Sequence, residues 1–159
     1  MVGETDHPKR DISIGSIAIM DSTQRLVIAT YSDDSTVRDS IKSALGKRIS
    51  KELPEHEIKE FATAAALRLF VDSKKHIDLF ILDGEAVPEG GMGVARQLKD
   101  EVFNCPPVLI ITGRAQDNWL ATWSRAEATI THPIDPFTLA RKCAEILSST
   151  AFSNLTNTK

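Results

Sequence analysis

The stretch Ile77-Asp78-Leu79-Phe80-Ile81-Leu82-Asp83-Gly84 constrains the fold of this chain more than any other. Five of the six residues from Ile77 to Leu82 are apolar, and the run stops on a carboxylate followed by glycine. A short continuous apolar run between turn signals reads as a strand buried on both faces, the pattern of a parallel sheet with helices on each side. Open α/β sheets place ligand sites outside the carboxyl ends of their strands. Asp83 is therefore the first candidate functional residue.

The flanking chain supplies the neighbours that such a strand needs. Leu26 to Tyr31 reads as a first strand, ending in Ser32-Asp33-Asp34. Asp34 or Ser35 can cap a helix whose apolar positions Val37, Ile41, Ala44 and Leu45 follow helical spacing, and Gly46 stops it. A charged connection containing Pro54 leads to a second strand, His56 to Ala62, and Thr63 caps a helix running through Val71. The segment from Gly84 to Gly91 is too glycine-rich to be anything but loop. Val94, Ala95, Leu98 and Val102 mark the next helix, and Pro107 to Thr112 is a fourth strand broken by Gly113. Asp117 to Arg125 is helical, and Ala128 to Thr131 is a fifth strand followed by His132-Pro133. Asp135 caps a last helix, with Pro136 in its first turn and Leu139, Cys143, Ile146 and Leu147 facing inward.

Five strands alternating with five helices imply right-handed βαβ units and one doubly wound parallel sheet. The flavodoxin-like (βα)5 order 2-1-3-4-5 is the expected arrangement. It brings Asp33, Asp83, Thr112 and His132 to one edge, where packing alone gives no reason for four polar residues.

At 159 residues the chain suits one domain of ~100–150 residues, assigned to 25–148. Residues 1–24 form an N-terminal extension. Met1 to Arg10 is polar and reads as disordered, while Ile12, Ile14, Ile17 and Ile19 suit either an extra edge strand or a mis-assigned leader with Met20 as the true start. Residues 149–159 read as a loose polar tail, too short for a DNA-binding module. The net charge of −3 argues against a nucleic-acid surface. No apolar run approaches the ~20 residues of a membrane span, and no secretory signal is present. Cys105 and Cys143 have no metal or redox spacing and read as free thiols of a cytoplasmic protein.

Over roughly Arg25 to Leu147 the chain resembles the receiver domain of two-component response regulators. The family carries paired acids after strand one, a phosphoacceptor Asp after strand three, Ser or Thr after strand four and Lys-Pro after strand five. The matches here are Asp33, Asp83, Thr112 and Pro133. Ser32-Asp33, Leu82-Asp83-Gly84-Glu85-Ala86 and the stretch Trp119 to Glu127 look like a small actinobacterial group of orphan, atypical single-domain receivers. The resemblance implies a histidine kinase as partner. One member of that group lies beside the genes of respiratory complex I, which makes complex I a second candidate partner by resemblance only.

The resemblance also implies a weak Mg²⁺ site of hard oxygen ligands: Asp33, Asp83 and the backbone carbonyl of Glu85. Ser32 replaces the first of the paired acids, and Asp33-Asp34 also suits a helix cap. His132 stands in place of the family's lysine. An imidazole titrates near ~6.5, so its charge is not guaranteed at cytoplasmic pH. A lost charge-assisted hydrogen bond forfeits ~1.5–3 kcal/mol of the preference that drives a phosphorylated receiver into its second conformation. The histidine also suits a structural pair with a neighbouring carboxylate, or a protonated, pH-sensitive site. The aromatic switch position is Thr129, and Arg125 stands where the family has glycine. Trp119, Trp123 and Phe137, on the fourth and fifth helices, are candidate interface anchors unless they pack inward.

The leading expectation is a non-enzymatic receiver that binds a protein partner through the fourth helix, fifth strand and fifth helix, with phospho-switching impaired or absent. The alternative is phosphorylation of Asp83 with Mg²⁺ at Asp33. A flavodoxin-like nucleotide or FMN binder is a remote third, because Ala29 to Asp34 has no glycine and sets two acids where phosphate would sit. A hydrolase reading fares no better, since the chain has neither Gly-x-Ser-x-Gly nor a cysteine placed with a histidine at a strand end.

Overall fold

The protein's structure, a computed structural model, describes residues 24–157. The leader isoleucines and Met20 lie outside the described residues. Five strands alternate with five helices: β1 (Leu26–Tyr31), α1 (Ser35–Leu45), β2 (His56–Phe61), α2 (Ala64–Asp72), β3 (Leu79–Asp83), α3 (Gly91–Glu101), β4 (Val108–Thr112), α4 (Asn118–Ser124), β5 (Ala128–Thr131) and α5 (Pro136–Asn157). A single 3₁₀ turn, Ala115–Asp117, precedes α4. The strands form one parallel sheet in the order β2-β1-β3-β4-β5, the order expected from the alternation.

Side-chain alternation divides the core into two layers. Phe80 and Leu82 point to the layer shared with Leu67 of α2 and with Val94 and Leu98 of α3. Leu79 and Ile81 point to the layer shared with Ile41 and Leu45 of α1 and with Leu139, Cys143 and Leu147 of α5. Every residue of β3 and β4 is buried, which is why both read as unbroken apolar runs. Burying one such side chain stabilises the fold by ~1.5–3 kcal/mol. Apolar surroundings also push the Cys143 thiol up to about 12, so it behaves as a small hydrophobe.

Local chemistry sets the element ends. Asp34 caps α1 by accepting the Thr36 N–H at 2.9 Å, and Gly46 ends that helix with φ +55°. Thr63 caps α2 through the Ala66 N–H, and Asp135 caps α5 through the Thr138 N–H. Three boundaries differ from the sequence expectation by more than one residue. β3 starts at Leu79 rather than Ile77, because the Asp78 carboxylate accepts the Val27 N–H at 2.8 Å and takes over a strand partner's role. α3 starts at Gly91, inside the expected loop, because a Cβ there would lie 2.6 Å from the Asp83 carbonyl and only glycine allows that approach. The segment after Leu147 is helical to Asn157 rather than loose. No glycine or proline interrupts it, and the Thr150 hydroxyl donates to the Ile146 carbonyl at 2.9 Å. Among the described residues no helix is long and apolar enough to cross a membrane.

Candidate functional site

The strand order brings Asp33, Asp83 and His132 to the carboxyl edge of the sheet, around an open cleft of about 660 Å³. Its lining is acidic: Asp33, Asp34, Asp83, Glu85 and Asp117, against Arg114 and His132. Arg114 pairs with Asp117 at 3.4 Å, so part of the positive charge is already matched. Hydrogen bonds from Thr36, side chain first and then backbone, hold the Asp34 carboxyl below its usual range.

Asp83 ends β3 and is almost wholly buried. Its Oδ2 accepts the Ser32 hydroxyl at 2.7 Å. Its Oδ1 accepts the Glu85 N–H at 2.9 Å and lies 3.1 Å from His132 Nε2. A carboxylate only accepts, so the shared hydrogen sits on Nε2. Each carboxylate oxygen has two lone-pair positions. Oδ1 is therefore full, and one position on Oδ2 is free. Ser32 replaces an acid with a hydroxyl that feeds the carboxylate instead of repelling it.

Asp33 is engaged as well. Its Oδ1 accepts the Val87 N–H at 3.0 Å and ties the loop after β3 to the end of β1. The Tyr31 hydroxyl donates to the Glu89 carbonyl at 2.6 Å, a second tie on the same loop. Burial first, then the nearby Glu89 and Asp33 carboxylates, pushes the Tyr31 phenol up, which keeps it a donor. Arg68 holds the Glu89 side chain, and that pairing lowers the Glu89 carboxyl. The loop between Asp83 and α3 is thus fastened at three points.

The donors expected for Mg²⁺ fit a cation poorly as they stand. Among the described residues no group of three or more His, Cys, Asp or Glu converges on a point. Asp33 already serves Val87, and Asp83 keeps a single free position once Ser32, the Glu85 N–H and His132 are counted. The Glu85 side chain instead lies over Gly113, where a Cβ would come within 1.9 Å of its Oε1.

The structure does not bring Thr112 into the cleft. Its hydroxyl is wholly buried, 3.1 Å from Asn118 Oδ1 and 3.2 Å from both the Ile130 carbonyl and Thr131 Oγ1. The hydroxyl roles of Ser32 and Thr112 are invisible in a list of residue types, because they depend on which neighbour each side chain meets. The glycine after Thr112 was the one sequence signal that a side chain needs room there.

The aromatics lie away from the cleft. Trp119 is 67% exposed, Trp123 49% and Phe137 83%. Arg96 of α3 stacks 5.3 Å over the Trp123 ring and donates to its carbonyl at 2.7 Å. Arg125 takes φ +64°, a conformation that favours glycine, as the C-cap of α4, where its N–H donates to the Ala121 and Thr122 carbonyls, and its side chain pairs with Asp100.

Comparison with known proteins agrees with this geometry. No protein-family model matches the chain. It is 49% identical over 131 residues to a protein named uncharacterized response regulatory protein from Mycobacterium tuberculosis, found in strains CDC 1551 and H37Rv. That match covers 82% of this chain and 98% of the relative. The chain belongs to the response-regulator receiver family. Solved receivers share its fold at low identity. The receiver domain of a LuxO repressor protein from Vibrio parahaemolyticus aligns with TM-score 0.68 at 20% identity, covering 83% of this chain and 97% of that one. A CheY-like receiver from Methanospirillum hungatei gives 0.66 at 21%, covering 82% and 99%. CheY4 of Vibrio cholerae gives 0.65 at 16%, covering 78% and 100%.

Proposed function

We propose that this receiver works in the cytoplasm by binding a protein partner through the α4–β5–α5 face, with phosphorylation-driven switching impaired or absent. The observation that carries the reading is the exposure of three large aromatics, Trp119, Trp123 and Phe137, on the two helices that flank β5. Exposed tryptophans are characteristic interface anchors, and truncating one at a hot spot costs ~2 kcal/mol or more of binding. The occupied cleft supports the second half of the reading. An incoming phosphoryl donor meets an acidic lining and a carboxylate with a single unfilled position. The reading assigns the domain no catalytic turnover of its own. A histidine kinase or a component of respiratory complex I is proposed as the partner, each by resemblance.

Phosphorylation of Asp83 is the second reading, favoured by the free position on Oδ2 and by the residue's place at the end of β3. Attack by that oxygen on the phosphorus of a phosphodonor, with the donor's P–N or P–O bond breaking and the donor leaving, would form an acyl phosphate and add about one negative charge beside His132. Mg²⁺ at Asp33 would require Val87 to release it. The nucleotide reading gains nothing, since Asp33, Asp34, Asp83 and Glu85 crowd the place where phosphates would lie.

The test compares the wild type with Trp119→Ala and Trp123→Ala for binding of captured partners and for thermal stability. The reading expects partner affinity to fall by more than ~30-fold, the equivalent of a hot-spot loss, with little change in melting temperature. Unchanged binding together with a much lower melting temperature would assign the tryptophans to packing.

A further inference from the structure

The next inference rests on that reading of the α4–β5–α5 face and concerns what sets the pose of its tryptophans. α4 is short, and its two ends are held by different parts of the molecule. The later end is fixed to α3: Arg96 donates to the Trp123 carbonyl and covers the Trp123 ring, Ala121 and Ser124 are buried, and Arg125 pairs with Asp100. The first turn has no such clamp. Asp117, in the cap position, makes no side-chain capping bond. What ties the first residue of α4 to the sheet is the 3.1 Å bond between Asn118 and the Thr112 hydroxyl.

We propose that Asn118 is a positioning residue whose bond to Thr112 latches the first turn of α4 onto β4 and thereby fixes Trp119. Trp123 is fixed separately, by Arg96. Thr112 is wholly buried at the last position of β4, paired in register with Thr131, so its hydroxyl is held by the sheet. Either orientation of the Asn118 amide bonds to the same oxygen, as donor or as acceptor. That oxygen occupies one place at a time. Its one hydrogen goes either to Asn118 Oδ1 or to the Ile130 carbonyl, and while the oxygen lies beside these groups it does not enter the cleft above Asp83. The latch is closed in this structure, and removing either partner opens it. Opening lets the helix pivot about its Trp123 end, so the two tryptophans respond differently.

The test uses the free protein in two single-tryptophan backgrounds, Trp119→Phe and Trp123→Phe, with acrylamide quenching and amide hydrogen exchange as readouts. Thr112→Val and Asn118→Ala should each alter the quenching of Trp119 and leave that of Trp123 unchanged. Both should speed exchange at the Trp119 to Ala121 amides about 2–10-fold, the range set by loss of one ordinary hydrogen bond. The double variant should do no more than either single one, and Thr112→Ser should behave as wild type. Equal changes at both tryptophans, no change at either, or additive effects would overturn the latch. Asn118 is itself exposed, so Asn118→Ala keeps the test valid if Thr112→Val fails to fold. Because no partner is present, a failed latch and a failed interface reading give different results.

Discussion

Replacing Ser32 by aspartate tests whether the cleft is complete without a cation. Ser32 is wholly buried, and its hydroxyl donates to Asp83 Oδ2 at 2.7 Å. Ser32→Asp removes that donor and sets a second carboxylate beside the first. Two like charges about 4 Å apart repel by ~4 kcal/mol at an effective dielectric constant near 20. Protonation of one carboxyl caps that cost, while loss of the donated hydrogen bond adds ~1.5–3 kcal/mol. A net destabilisation of ~4 kcal/mol is expected in EDTA, a large share of the ~5–15 kcal/mol that holds a domain together. Restoring the second acid also restores a pair that can share Mg²⁺, which keeps several of its own waters. A cation at about 100 times its dissociation constant returns ~2.7 kcal/mol. Urea unfolding with EDTA and with excess MgCl₂ reads both effects. The wild type should shift by less than ~0.5 kcal/mol between the two conditions, within the scatter of a neutral change. A Ser32→Asp variant as stable as wild type in EDTA would refute the reasoning. So would a wild type that gains as much from Mg²⁺ as the variant does.

Two further predictions concern positions outside that carboxylate. His56 is buried with neither ring nitrogen hydrogen-bonded, and burial pushes its imidazole below the usual range. The fold therefore favours the neutral ring, so its contribution is full above pH ~6.5 and is lost as pH falls, by up to ~1.4 kcal/mol per unit. His56→Leu should match or exceed wild-type stability at neutral pH, with a margin that widens in urea titrations toward pH ~5.5; a margin independent of pH would refute this. At Gly113 a Cβ meets only the end of the flexible Glu85 side chain, whereas at Gly91 it meets the Asp83 backbone. Gly113→Ala should cost under ~1 kcal/mol and Gly91→Ala ~1–3 kcal/mol or more by urea midpoint, and equal costs would contradict the stated geometry.

The fold was legible because burial on both faces writes itself into composition. Leu79 to Leu82 and Val108 to Ile111 have nowhere polar to point, so their runs are unbroken, and the caps at Asp34, Thr63 and Asp135 announce the helices between them. The site was legible in part. Strand order alone brings Asp33, Asp83 and His132 together, and the pairing of His132 with a neighbouring carboxylate was one of the expected arrangements. The direction of individual hydrogen bonds was not legible. Ser32 reads as a missing acid, yet it is a donor to the Asp83 carboxylate. Asp33 reads as a metal ligand, yet it fastens Val87. Asn118 carries no motif at all, because its importance comes from a residue on a different element. The continuation of α5 past Leu147 was missed for a related reason. Its apolar spacing ends there, but helix ends are set by stop signals, and no glycine or proline stands between Leu147 and Asn157.

The central claim is that the α4–β5–α5 face works without a phosphoryl switch at Asp83. Its most direct test is intact mass after incubation with acetyl phosphate and Mg²⁺, beside an Asp83→Asn control. Wild type and control should both keep their unmodified masses while remaining folded. A phosphoryl adduct on the wild type, absent from Asp83→Asn, would contradict it and make this chain a working phospho-receiver.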